Sequence, residues 1–416
     1  MMTTIRDDAW QIAQDAISAV MPEAAVKKAL ARHDIQGEAV IVAIGKAAWR
    51  MAKAAHDVLG DKVTAGIVIT KYEHSQGEIP LLSIFEAGHP VPDENSVRAT
   101  REAMRLISGL KEDQTVVFLV SGGGSALFEL PMEGITLSEI ADVTRQLLAC
   151  GANIVEINTI RKHLSQVKGG RFAQKCEPAH VLSIVLSDVL GDPLDSIASG
   201  PAYPDRSTSE DALSIVKKYC LKLPEAVLDA LHTETPKALK NVISEITGNV
   251  NALCYGAQKA AQGMGYDTLL LTTTLDTEAR GAGAFLAAIA RQIRETGQPL
   301  KPPCAVILGG ETVVHLKGHG KGGRNQELAL AAAAGIAGLQ STLVLSIGSD
   351  GTDGPTDAAG GMVTGEFASD CRRLGLDIDA ALADNDAYPL MKAAGGLLVT
   401  GPTGTNVNDL MMVLCK

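Results

Sequence analysis

The chain has 416 residues, of which 46% are hydrophobic and only 3% aromatic, and its formal net charge is −11. That length calls for two or three domains with aliphatic cores. The acidity excludes a nucleic-acid partner, because no basic stripe is present to neutralise phosphates, and any anion site must supply its own cations.

The first stretch, residues 5–33, has helical spacing. Ala39-Val-Ile-Val-Ala-Ile44 reads as a strand and ends in Gly45-Lys46, with a helix expected through His56. Lys46 therefore stands where a strand hands over to a helix, the edge at which parallel α/β sheets bind ligands. Residues 66–70 are a further strand, followed by a polar loop with His74. Ala87-Gly88-His89-Pro90-Val91-Pro92 is a rigid turn before a helix over 93–110.

Residues 115–120, Thr-Val-Val-Phe-Leu-Val, form an apolar, β-branched run typical of a strand buried on both faces. It stops in Ser121-Gly122-Gly123-Gly124-Ser125. Consecutive glycines let several amide groups converge on one guest, and phosphate is the anion such a concavity commonly takes. Thr136 and Glu139 resemble a capping box opening the next helix, to about Cys150.

Residues 158–171 are the most cationic patch of an acidic chain. As a helix they place Arg161, Ser165 and Lys168 on one face, with a stop at Gly169-Gly170. A solvated basic face is the ordinary explanation; a local site for a carboxylate or phosphate is the alternative. Residues 181–186 are another buried strand. It ends in Ser187-Asp188, followed by Asp192 and Asp195, carboxylates placed either to hold Mg²⁺ or to accept a hydroxyl proton.

Residues 209–247 read as helical with breaks at Pro224 and Pro236, and a domain boundary is expected there, dividing 1–240 from 241–416. Residues 251–255 and 268–272 read as strands, and 277–296 as a helix. The strand 305–308 ends in Gly309-Gly310-Glu311-Thr312. A loop with Gly318, Gly320, Lys321, Gly323 and Arg324 precedes an Ala/Leu helix. The glycines fit GxGxxG, but the acid expected about 20 residues on for a dinucleotide ribose is missing, so phosphate suits the loop better. Strand 342–347 ends in a second acidic loop around Asp350 and Asp353, and 407–414 is a closing strand.

Seven cysteines, odd in number and without a CxxC pair, suit reduced thiols in the cytoplasm. The acidic residues near the N-terminus do not suit a signal peptide. The uncharged run 328–349 is broken by glycines and polar residues, so a helix, a turn and a strand are expected in place of a membrane span.

Glycine loops, cations and carboxylates at several strand ends are the parts of phosphoryl transfer. No GxxxxGK[ST], kinase catalytic loop or GxSxG is present. The motifs at 120–126, 158–164, 168–171, 186–193, 199–201, 309–312, 322–327 and 349–355 together resemble the glycerate 2-kinase family, also called the tartrate-utilisation hydroxypyruvate reductase-like family. The resemblance runs over nearly the whole chain. It implies a two-domain α/β protein, with a Rossmann-like N-terminal domain on a mainly parallel sheet and a smaller MOFRL-type C-terminal domain on a mixed sheet.

It further implies ATP-dependent phosphorylation of D-glycerate to 2-phosphoglycerate with Mg²⁺, in a site between the domains. Lys46, Asp188 and Arg324 become the catalytic positions. Ser121, Gly122, Gly123, Gly124 and Ser125 would hold ATP phosphates, and Arg161 or Lys162 the glycerate carboxylate. Asp188 would be base or metal ligand, with Asp192 as a second metal ligand. The expected partners are D-glycerate and a second copy in a homodimer, with no nucleic acid and no membrane. The rival activities are NAD(P)H-dependent hydroxypyruvate reduction and non-catalytic sensing of phosphorylated hydroxy acids.

Overall fold

Apolar runs without alternation form parallel strands only where helices cover both faces of a sheet. The computed structural model, which describes residues 4–35 and 37–416, builds such a sheet in one of its two units. That unit gathers Pro22–Ser187 and Asp192–Thr247. Its strands are β1 (Ala39–Ile44), β2 (Val63–Lys71), β3 (Leu82–Ala87), β4 (Thr115–Val120), β5 (His180–Leu186) and β6 (Val242–Gly248), in the order β3-β2-β1-β4-β5-β6. The pairs β2–β3, β1–β2, β1–β4 and β4–β5 are parallel.

All residues of β1 and β4 are buried. Ala48, Met51, Ala52 and Ala55 of the Ala48–Leu59 helix cover one face, packing with Ile41, Ala43, Val117 and Leu119. Beneath β4 the core is aromatic: Phe118, Phe128 and Phe172 stack with centroids 4.5–6.0 Å apart. Such pairs add about 0.5–1.5 kcal/mol each beyond area burial. The expectation of purely aliphatic cores fails here, because the few phenylalanines are concentrated at one place.

The strand order reverses between β1 and β4. In open α/β sheets that switch point, at the carboxyl ends of the strands, is where ligands bind. The Gly45-Lys46 loop follows β1 and the Ser121–Ser125 loop follows β4.

The other unit gathers the chain up to Met21, Asp188–Gly191 and Gly248–Lys416. Its sheet is mixed, in the order β11-β10-β9-β12-β8-β7. The strands are β7 (Asp267–Leu275), β8 (Cys304–Gly310), β9 (Thr342–Gly348), β10 (Gly360–Thr364), β11 (Leu397–Leu398) and β12 (Asp409–Cys415). Only β7–β8 pair in parallel. Alternation along β12 sorts its side chains. Leu410, Met412 and Leu414 meet the Ile5–Ala19 and Val250–Gly263 helices, and Met411 and Val413 meet the Ala279–Thr296 and Arg324–Gly335 helices.

The chain therefore does not divide at one cut near 240. Residues 5–33 are two helices, Ile5–Ala19 and Pro22–Leu30, and the first belongs with the C-terminal sheet. There Asp8 is buried and accepts from the Tyr266 hydroxyl at 2.6 Å and from Lys416 Nζ at 2.8 Å.

Other elements also differ from expectation. Residues 251–255 are not a strand but lie in the Val250–Gly263 helix, where the Asn249 side chain caps Ala252 at 2.9 Å. The strand is β6 just before it, inside a stretch that reads as helical. A short apolar run does not distinguish strand from buried helix. No helix of the described residues is long and apolar enough to cross a membrane.

Candidate active site

Two sets of side chains carry chemistry, one in each unit. In the first unit the end of β1 passes against the end of β4. Gly45 has φ +112°, and a Cβ there would lie 2.3 Å from Ser121 Oγ, so only glycine fits. The Ser121 amide donates to the Ile44 carbonyl at 3.0 Å, and the Lys46 amide to the Gly122 carbonyl at 2.9 Å. Ser121 Oγ accepts from the Ala47 amide at 3.1 Å and reaches the Ile44 carbonyl at 3.3 Å. The hydroxyl expected to bind phosphate thus ties the two loops together.

The amides of Gly122, Gly123 and Ser125 have no acceptor among the described residues. Gly123 is left-handed at φ +85°, which turns neighbouring amides toward one side. Ser125 Oγ lies 2.9 Å from Ser199 Oγ, and Ser199 reaches Asn158 Oδ1 at 3.3 Å.

The cationic stretch 158–171 is neither one helix nor a solvated face. The helix ends at His163, and Leu164–Gly170 turn inward before a second short helix, Arg171–Lys175. Arg161, Ser165 and Lys168 therefore share no helical face. Lys168 is buried and pairs with Glu129 at 2.6 Å; burial pushes its ammonium down to about 8. Lys162 is buried and held by Asp205 at 3.1 Å, with Asp195 at 3.7 Å. Arg171 spends its guanidinium on the carbonyls of Lys162 and Ser165, at 2.6 and 2.9 Å. Arg161 differs: its Nε is buried with no hydrogen-bond partner. Burial lowers its pKa, against the pull of Glu129. Of the two residues expected to anchor a carboxylate, Lys162 is already occupied and Arg161 is open.

Cavities of about 780 and 700 Å³ also lie in this unit. Neither includes Lys46 or the glycine loop; in the larger, Arg171 donates to carbonyls and Glu234 pairs with Lys237 at 2.7 Å.

In the second unit the site forms where β8 and β9 end and β12 begins. Arg324 opens the Arg324–Gly335 helix. Its Nε and Nη2 donate to the two carboxylate oxygens of Asp409 at 2.6 and 3.0 Å, and its Nη1 meets Glu311 Oε1 at 3.0 Å. Asp409 is wholly buried; burial raises its pKa to about 6 although Arg324 pulls the other way.

Asp353 caps the same helix, accepting the amides of Asn325 and Gln326 at 3.1 and 2.9 Å. Its pKa too is raised by burial, against those amides. Gly323 permits this approach, since a Cβ there would lie 2.2 Å from Asp353 Cγ. The helix start expected to receive phosphate is thus filled by the protein's own carboxylate. Asn408 Nδ2 donates to the Asp188 carbonyl at 3.0 Å and to Glu311 Oε2 at 3.1 Å. Asp188 and Arg324 consequently belong to one hydrogen-bonded group.

Lys46 stands in the other unit. Asp192 lies four residues beyond Asp188 with φ 52°. Among the described residues, no three His, Cys, Asp or Glu side chains gather as a protein-built metal centre requires.

Sequence reasoning missed Asp409 and Asn408. Asp409 had a signal: it is the one charged residue in the apolar strand Asp409–Cys415. Asn408 had none.

Comparison with known proteins identifies the family. A family model described as "Domain of unknown function (DUF4147)" matches residues 8–232, and one described as "MOFRL family" matches residues 304–409. A D-glycerate 2-kinase of Thermotoga maritima is 54% identical, covering 98% of this chain and 97% of its own. A putative hydroxypyruvate reductase of Agrobacterium vitis is 40% identical over 84% of this chain and 81% of its own. The crystal structure of a glycerate kinase from Thermotoga maritima superposes with a TM-score of 0.97 at 54% identity, covering 99% of each chain. Two family-model matches in order, a full-length relative and a full-length structural match lead to one conclusion: this chain belongs to the glycerate kinase family and is an enzyme of the kinase class.

Proposed function

We propose that the protein phosphorylates D-glycerate at its 2-hydroxyl, with ATP as donor, giving 2-phospho-D-glycerate and ADP. The observation that carries this reading is the placement of Lys46 and the Gly122-Gly123 amides at the switch point between β1 and β4, where an α/β sheet presents donors to an anion. Those groups hold the nucleotide phosphates. Arg161, a cation lacking a hydrogen bond at its buried Nε, takes the glycerate carboxylate.

In this reading the glycerate 2-oxygen bonds to the γ-phosphorus as the bond to the β,γ-bridging oxygen breaks, and ADP leaves. Asp188 accepts the hydroxyl proton or helps to hold the metal, and Arg324 offsets charge on the transferred group. Mg²⁺ usually sits on one or two carboxylates plus substrate phosphates, and Asp188 and Asp192 fit that mode better than a protein-only cage. When bound, the ion neutralises phosphate charge.

The name of the Agrobacterium vitis relative favours a second reading, NAD(P)H-dependent hydroxypyruvate reduction. The helix after the GxGxxG stretch is already capped by Asp353, which counts against a pyrophosphate there. We further propose a cytoplasmic homodimer, the compartment argued from the cysteines.

Incubation with ATP, Mg²⁺ and D-glycerate, with NMR identification of the product, tests the assignment. Formation of 3-phosphoglycerate, or cofactor oxidation with hydroxypyruvate and no ATP consumption, would overturn it.

A further inference from the structure

The turn at residues 87–92 has no role in the reading above, yet it delivers a side chain to the glycine loop. A Cβ built on Gly123 would lie 2.9 Å from His89 Cδ2, 3.0 Å from His89 Nε2 and 3.4 Å from Lys46 Cγ. The ring edge bearing Nε2, the left-handed glycine and the lysine stem therefore meet at one point.

This placement is braced. Gly88 packs on the Asp93 carboxylate, where a Cβ would lie 3.0 Å from Oδ2. Asp93 in turn accepts the Ser96 amide at 2.9 Å and the Tyr72 hydroxyl at 2.6 Å. Behind Lys46, His74 Nδ1 lies 3.0 Å from the Lys46 carbonyl, and Thr70 Oγ1 reaches the same oxygen at 3.4 Å. His89 is half-buried, and its ring makes no hydrogen bond to the described residues. Burial first, then the nearby charges of Lys46, Lys71 and His74, keep its pKa below the ordinary imidazole range, so the ring is neutral at pH 7. A neutral imidazole offers one N–H donor without placing a second charge against the lysine.

We propose that His89 is a further nucleotide-binding residue, donating Nε2–H to a phosphate oxygen held at the same time by Lys46 and the Gly122-Gly123 amides. This rests on reading the glycine loop as the nucleotide-phosphate site.

Glutamine at position 89 keeps an N–H donor near Nε2, whereas phenylalanine keeps a ring against Gly123 and loses the donor. If His89 binds phosphate, His89→Ala and His89→Phe raise the KM for ATP by about tenfold or more, which is the loss of one hydrogen bond to a charged group. His89→Gln stays within about threefold of the parent, and the KM for glycerate moves less than about twofold in all three. A packing role reverses the pattern: His89→Phe then behaves as the parent and His89→Gln is impaired, and that result overturns the proposal. So does an unchanged KM for ATP in every variant.

Thermal melts verify folding, and the Phe and Gln pair decides the matter should His89→Ala fail to fold. Calorimetric titration of ATP without glycerate separates this inference from the assigned reaction. A protein that binds ATP but does not phosphorylate glycerate sinks the reaction while His89 is still judged by the titration. A protein that binds no ATP sinks both.

Discussion

Asp409 grips Arg324 through both carboxylate oxygens, at 2.6 and 3.0 Å, from a wholly buried position at the start of β12. The guanidinium is thereby fixed in direction while Nη1 remains on the more exposed Glu311. Asp409→Asn keeps the shape and removes the charge. We expect kcat to fall by about 10- to 100-fold with the KM for ATP within a few fold, because aim and not affinity is lost. Steady-state kinetics checks this; a kcat equal to the parent's refutes the positioning role.

Removing the cations themselves has a larger effect. Lys46→Ala and Arg324→Ala each lower turnover by roughly 10³-fold or more, the size of losing a charge that faces the transferred or leaving phosphates. Near-normal rates in well-folded variants would remove these residues from the mechanism.

Asp409 makes a contribution of definite sign to the pH dependence of stability. Its folded pKa of about 6 lies above the ordinary 3.8. A raised carboxylate favours the folded state below the lower value, and that contribution is lost as pH rises through the upper one. Relative to the parent, Asp409→Asn therefore gains stability between pH 4 and pH 7, by up to about 3 kcal/mol. Urea unfolding of both proteins at the two pH values measures this difference; a gap that widens in the opposite direction contradicts the assignment.

Neighbouring cations in the 158–171 stretch separate by function. Lys162→Ala leaves Asp205 buried without its ammonium and destabilises by about 3–5 kcal/mol. Arg161→Ala removes no paired charge, so it changes stability by less than about 1 kcal/mol and raises the KM for glycerate by about tenfold or more. Denaturant melts and glycerate titrations on the two variants provide the comparison.

Gly45→Ala tests the contact between the strand ends. Its Cβ collides with Ser121 Oγ and the backbone is left-handed, so a loss of a few kcal/mol and a Tm lower by roughly 5 °C or more are expected. Activity at a temperature where the variant remains folded should also drop, because Lys46 is the next residue.

Much of this was legible in the sequence for a physical reason. Strands β1, β4, β5, β8 and β9 are mainly apolar runs that give way to loops of glycine, serine or aspartate, and both their existence and their loops were readable. What failed was local ambiguity and long-range pairing. Residues 251–255 are equally apolar as strand or helix, and only the Asn249 cap decides. Nothing in the order of residues shows that Lys162 is consumed by Asp205 or that Asp353 fills the helix start before any phosphate. Those outcomes depend on groups 28 to 43 residues apart.

The bond from Lys416 to Asp8 ties the Ile5–Ala19 helix to the residue that follows β12, in the sheet built by the second half of the chain. Expressing only the second half would strip the Ile5–Ala19 helix from its seat against Val250–Gly263 and leave an oily, aggregation-prone surface. Supplying the Ile5–Ala19 helix together with residues 248–416 keeps that seat filled, and offers a route to this layer as a freestanding protein.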